Sequence, residues 1–233
     1  APATADDEEA GRHTDLLAPD LAGGVRALAS RAGVTPYLVF ATALAALTHP
    51  GDDERRLVLL GTLIAQRDRP EWQRIVGPLL NVSVLAIDLD LASPVPDALA
   101  ATRDAALRAY RCANLPFQEL VPHLTPAPGG DGSPFDVMLV MQPPGGPVAF
   151  TGLDASVTDV DTGAAPYPLL VDIEERDGGY QVSYRYQASR FDPVGVAELA
   201  GRMRALVRAL GAAGDRSLAE LVPAGWALPA ERS

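Results

Sequence analysis

The residue pattern predicts an α/β chain: a two-layer sandwich in which a mixed β-sheet is flanked by helices. Three observations predict it. Apolar spacing switches between a helical and an alternating period in the order helix, helix, strand, strand, helix, helix, strand, hairpin, helix, too interleaved for an all-α or all-β fold. Apolar residues make up 48% of the 233, enough for a substantial core. Finally, Asp177-Gly178-Gly179 between two alternating runs is a hairpin turn of the kind that needs positive φ.

The elements follow in order. Residues 1–15 are acidic and without periodicity, and are expected to be a lead or linker remnant, with the folded unit over 16–223 and a tail over 224–233. Leu21, Val25, Leu28 and Ala29 mark a first helix that stops at Gly33, and Thr35-Pro36 caps a second through Ala46, so that two helices precede any strand. Short apolar runs over 56–61 and 79–89 read as strands. Ser93-Pro94 opens a helix carrying Val95, Leu99, Ala106, Leu107 and Tyr110 along one side, and Pro116 restarts a short one over Phe117, Leu120 and Val121. The Pro/Gly-rich stretch 126–132 is a loop, 135–142 a strand, 143–147 a break, and 148–160 a further extended segment. The hairpin strands cover 169–175 and 180–186. Asp192-Pro193 then caps a terminal helix with Val196, Leu199, Met203, Leu206 and Leu210 at helical spacing, and Ser217 starts a last turn. No internal repeat is visible, and the Pro/Gly breaks punctuate one fold rather than separate two domains.

Composition narrows the function. Thirty acids against 19 bases give a net charge of −11, with no local basic face to suit a nucleic acid or an anionic membrane. All the bases are Arg, a coding bias from which no function follows. The apolar run 34–50 is too short and too punctuated to span a bilayer, and the acidic N-terminus is the opposite of a signal peptide. A single cysteine, Cys112, excludes an internal disulfide framework, suits a reducing cytoplasm and reads as a small buried hydrophobe. Cys112 and His123, eleven residues and a proline apart with no orienting acid, do not make a nucleophile and base. Nor do the three scattered histidines, His13, His49 and His123, make a metal site. Gly129 to Gly132 lacks the lysine of a phosphate-cradling loop.

One stretch carries more. Gly61-Thr-Leu-Ile-Ala-Gln-Arg67 is followed by Val76-Gly77-Pro78-Leu79-Leu80-Asn81, with Asn81 fourteen residues after Arg67; Pro116-Phe117-Gln118, Ser133-Pro134-Phe135, Tyr184-Arg-Tyr186 and Phe191-Asp192 come later in order. Together these resemble the C-terminal lobe of a nonribosomal peptide synthetase condensation domain, of the chloramphenicol-acetyltransferase-like fold. That family has Gly-Thr-x-x-x-x-Arg, then Ile-Gly-x-Phe-Val-Asn-Thr, Pro-Phe-Glu and Asn-Pro-Leu. Among the departures, Val82 replaces a Thr, Ala86 an Arg and Cys112 a His. The family's catalytic His-His-x-x-x-Asp-Gly belongs to the N-terminal lobe and is not in this sequence.

The resemblance implies amide formation between thioester substrates in a complete domain, with a histidine this chain lacks moving the proton. No cofactor is expected except phosphopantetheine carried by a partner. The partners implied are a peptidyl or aminoacyl carrier protein and an N-terminal lobe in cis or trans. Arg67 either bridges to the aspartate of the catalytic motif or is an exposed loop arginine; Asn81 either lines the acceptor side of a tunnel or satisfies strand-end backbone. Gly61, Gly77, Pro116 and Phe117 support the motif. A rival reading is a non-catalytic platform that recruits a carrier protein or tailoring enzyme; an acyltransferase working alone through other residues is a third.

Overall fold

The computed structural model describes residues 10–48, 55–67, 69–123, 134–143, 151–154, 160 and 163–222. Its elements are β1 (Ala10–Leu17), α1 (Pro19–Ala32), α2 (Pro36–Thr48), β2 (Arg55–Ala65), β3 (Leu80–Asp90), α3 (Val95–Arg111), α4 (Phe117–Leu120), β4 (Val137–Met141), β5 (Leu169–Arg176), β6 (Gly179–Gln187) and α5 (Pro193–Gly211). The strands form one six-stranded sheet in the order β1-β6-β5-β4-β2-β3. It is mixed, as expected: β2/β4 and β4/β5 are parallel, while β1/β6, β5/β6 and β2/β3 are antiparallel. The loop expected over 126–132, most of the segment expected over 148–160, Ser133 and His49 lie outside the described residues.

Local chemistry sets several boundaries. Gly33 ends α1 in the left-handed conformation, φ 64°. Asp192 caps α5, its carboxylate accepting from the N–H groups of Val194 and Gly195, both at 2.9 Å. Asp177 and Gly178 have φ of 52° and 75°, which closes the β5–β6 hairpin as a two-residue turn with Arg176 opposite Gly179.

Helices α1, α2, α3 and α5 layer over one face of the sheet, where Leu60, Leu85, Ile87, Leu89, Leu139, Leu169, Val171, Ile173, Val182 and Tyr184 are buried with Phe40, Leu44, Leu99, Met203 and Leu210. Each such apolar side chain contributes ~1.5–3 kcal/mol by leaving water. Between α2 and α3, Thr42 and Thr102 are completely buried and satisfy one another, Oγ1 to Oγ1 at 2.8 Å. No single described helix is long and apolar enough to cross a membrane.

Four expectations are corrected. A strand, β1, precedes both helices, and residues 10–15 belong to the sheet rather than to a lead. Its apolar alternation is hidden because its inward residues before Leu17 are Gly11, His13 and Asp15, matched to particular partners: Gly11 leaves room for the Tyr186 ring, His13 lies 6.0 Å from the Tyr184 ring, and Asp15 meets Arg204 at 2.7 Å. Along α3 the buried stripe is Val95, Ala98, Leu99, Thr102, Ala105, Ala106 and Ala109, whereas Leu107 and Tyr110 are about half exposed, because small residues let the helix approach β3 closely. Cys112, at the end of α3, is exposed rather than buried, since the helix has run past the core there. Pro94, not the Ser93 side chain, occupies the N-cap of α3, with no side-chain hydrogen bond.

Candidate functional site

The motif residues gather where β2 ends and β3 begins. β2 continues through Gly61-Thr62-Leu63-Ile64-Ala65, beyond the run the sequence suggested, because β3 pairs along its whole length: Ile64 faces Asn81 and Ala65 faces Leu80. The Gln66 amide N–H donates to the Leu79 carbonyl at 2.9 Å, closing the neck of a loop over 67–79.

Arg67 holds that loop. Its Nη1 donates to the carbonyls of Trp72 at 2.8 Å and Ile75 at 2.9 Å, and its Nη2 to that of Gly77 at 3.0 Å. The guanidinium is half-buried, so it is not the freely exposed arginine of the simpler sequence reading. Gly77 has φ 154°, a conformation side chains disfavour, which aims its carbonyl at Arg67. Arg69 lies over the Trp72 ring at 4.7 Å. Held this way, the loop displays apolar residues: Val76 is entirely exposed, with Ile75 at 45% and Leu80 at 51%.

Asn81 ties β3 to the turn after α3. Its Nδ2 donates to the carbonyls of Ala113 at 2.9 Å and Leu115 at 2.6 Å, and its Oδ1 accepts from the Phe117 N–H at 3.2 Å. Gln66 Nε2 donates to the same Ala113 carbonyl at 2.9 Å. The backbone-satisfying role read from the sequence is therefore present, directed not at the strand end but at a segment more than thirty residues away. Pro116 is the N-cap residue of α4. Next to it, Phe117 packs on Phe135 at 6.0 Å between ring centroids, and Phe135 on Tyr167 at 5.9 Å. The Phe135 ring covers Gly61, where any Cβ would collide with it. Gly61, Asn81, Pro116 and Phe117 thus form one unit, with Arg67 and Gly77 joined to it through Gln66. Gln66 and Tyr167 were missed in the sequence; Gln66 was signalled only by its place beside Arg67.

Behind this unit, Tyr37 donates its hydroxyl to Thr62 Oγ1 at 2.8 Å. Burial pushes the Tyr37 phenol far above its ordinary 10.0, and burial also raises Tyr110 and Tyr167. These tyrosines stay neutral at physiological pH. Cys112 and His123 are both exposed and have no mutual hydrogen bond among the described contacts. No group of three or more His, Cys, Asp or Glu able to hold a metal occurs among the described residues. The arrangement positions backbone and presents apolar surface.

Fold and site define a class. The described architecture superimposes on the first condensation domain of the CDA synthetase with a TM-score of 0.75 at 15% identity, covering 91% of this chain and 47% of that one. It also superimposes on the X-domain in a solved complex of the X-domain and OxyB from teicoplanin biosynthesis, with a TM-score of 0.77 at 20% identity, covering 92% and 48%. The class is the condensation-domain fold. The Condensation domain family model matches residues 2–224, and the chain belongs to that family. It is 31% identical over 231 residues to phosphinothricin tripeptide synthetase PhsC of Streptomyces viridochromogenes, covering 94% of this chain but 20% of that synthetase. The chain thus spans about half of those solved structures and a fifth of that relative.

Proposed function

We propose that the chain is the C-terminal, acceptor-side lobe of a nonribosomal peptide synthetase condensation domain. It forms no bond alone; with an N-terminal lobe carrying His-His-x-x-x-Asp-Gly, in cis or trans, it completes a site that joins carrier-protein-bound thioester substrates through an amide. The observation that carries this reading is the paired coverage, nearly all of this chain against about half of a condensation domain. In this reading the acceptor amine attacks the donor thioester carbonyl, the partner lobe's histidine takes up the proton, and the thiol of the donor's phosphopantetheine leaves. Arg67 presents the loop with Ile75, Val76 and Leu80 toward the other lobe and reaches its aspartate through what remains of its donors. Asn81 and Phe117 form the acceptor-side wall.

Mixing the chain with a separately expressed N-terminal lobe, an acyl carrier protein and an aminoacyl carrier protein tests this. A complex on gel filtration and amide product by mass spectrometry are expected from the mixture and from neither lobe alone. Absence of any complex, or turnover by this chain alone, removes the reading. The platform reading is favoured by one observation, the likeness to an X-domain solved together with OxyB. It predicts binding of a carrier protein or tailoring enzyme with no amide formed whichever N-terminal lobe is added.

A further inference from the structure

Three positions at which the sequence departs from its family's pattern by losing a polar side chain, Val82, Ala86 and Cys112, are brought together by the fold: all line a single recess of about 250 Å³ between β3 and the C-terminal half of α3. Ala105, Ala109 and Cys112 follow one another along one side of α3, and Val82, Val84 and Ala86 of the edge strand β3, which alternate with the core-facing Ser83, Leu85 and Ile87, complete the lining with Leu115 and Leu120. By volume it holds ~8 waters' worth of liquid, or a chain of about six to eight carbons. The recess is partly open to solvent, and its mainly apolar lining favours an occupant that displaces water from it.

One charge borders it. Arg108 lines the recess, and its Nη2 donates to the Ala86 carbonyl at a long 3.3 Å. Among the described residues no carboxylate pairs with it, although acids outnumber bases 30 to 19 in the chain. An exposed guanidinium tethered to one carbonyl keeps donors for a bidentate anion. Ser83 of β3 also belongs to the lining.

We infer that this recess binds a short amphiphilic carboxylate, its chain of about six to eight carbons against Val82, Val84, Ala105, Ala109 and Leu120 and its carboxylate on Arg108. The fit rests on charge complementarity with the lining's one cation and on the match of volume to chain. It goes beyond the proposed function, because the binding requires neither a second lobe nor a carrier protein.

The chain's single cysteine supplies the test, since Cys112 is in the lining and exposed. Alkylation of Cys112 by a maleimide, followed by intact mass, is timed with octanoate, octylamine or acetate present, and thermal unfolding is recorded alongside. Octanoate is expected to slow alkylation about tenfold and to raise the Tm, with octylamine and acetate having little effect. In Arg108→Gln, with each rate and Tm referred to that variant's own unliganded value, octanoate is expected to lose about tenfold in potency. The inference falls if octanoate changes neither alkylation nor Tm, if octylamine acts as strongly, or if Arg108→Gln keeps the full octanoate effect.

Discussion

Tyr180, Tyr184 and Tyr186 at one end of the sheet, and Asn81, Phe117 and Phe135 at the other, are both knots of aromatic and polar side chains, but they are tied differently. At the β1–β6 end the tyrosines find side-chain or strand partners: Tyr180 meets Phe40 of α2 edge-on at 5.2 Å, while in the neighbouring strand β1 His13 lies beside Tyr184 and Gly11 makes room for Tyr186. At the β2–β3 end the polar side chains hold backbone in place, Arg67 through three carbonyls and Asn81 through two, while Val76, Leu80 and Leu115 stay exposed and a recess opens beside Ala86. The first end closes the fold; the second shapes a surface and leaves it uncovered. Such exposed apolar groups are what the proposed contact with a second lobe would cover.

The contrast breaks most visibly at Phe40. It is completely buried and seated on Tyr180, so Phe40→Ala is expected to cost ~3–5 kcal/mol of stability, read as a lowered urea midpoint. Asn81→Ala strands the Phe117 N–H and the Leu115 carbonyl and is expected to cost ~1–3 kcal/mol. Unlike the Phe40 change, it should weaken association with an N-terminal lobe by more than its loss of stability explains. If the two variants weaken association in proportion to stability, the two ends do not differ in the way described.

A buried tyrosine on each side allows a symmetric test. Burial raises the Tyr37 and Tyr184 phenols well above 10.0, with the Asp15 carboxylate adding to the effect on Tyr184. Above pH 10 the unfolded chain gives up these protons and the folded one keeps them, so fewer protons are bound in the unfolded state. Stability then falls as pH rises, by up to ~1.4 kcal/mol per pH unit for each tyrosine. Below pH 10 their contribution is constant. Urea unfolding at pH 9 and pH 11 should show the fall, and Tyr37→Phe and Tyr184→Phe should each remove part of it; an unchanged difference in both variants would refute the assignment. Smallest of all, Arg67→Ala is expected to cost only ~1 kcal/mol globally. Its signature is local, faster hydrogen exchange over residues 72–77 with the β5–β6 hairpin unaffected.

Much of the fold is legible in the chain because it rests on short-range chemistry. Asp177-Gly178 makes its turn from its own φ angles, Asp192 reaches N–H groups two and three residues on, and Gly33 stops α1 by itself. β1 was not legible, since a strand whose inward residues are Gly11, His13 and Asp15 shows no apolar alternation until the tyrosines of β6 and Arg204 of α5 are in place. The candidate site divides in the same manner. The spacing of Arg67 and Asn81 and the Pro116-Phe117 pair singles out segments that the fold brings together, but nothing in that spacing signals that Gln66 and Asn81 share the Ala113 carbonyl, or that Phe135 covers Gly61.

By itself the sequence determined the described helices and strands from α1 to α5, the mixed α/β class and the family likeness, because periodicity, caps, turns and motif spacing are written in neighbouring residues. Only the tertiary structure decided that β1 joins the sheet, that Arg67 and Asn81 hold carbonyls of other segments, and that Val82, Ala86 and Cys112 open one recess. A donor's partner depends on which distant backbone arrives within about 3 Å of it, and a recess on how an edge strand and a helix come to lie beside each other. Neither is a property of any stretch of chain alone.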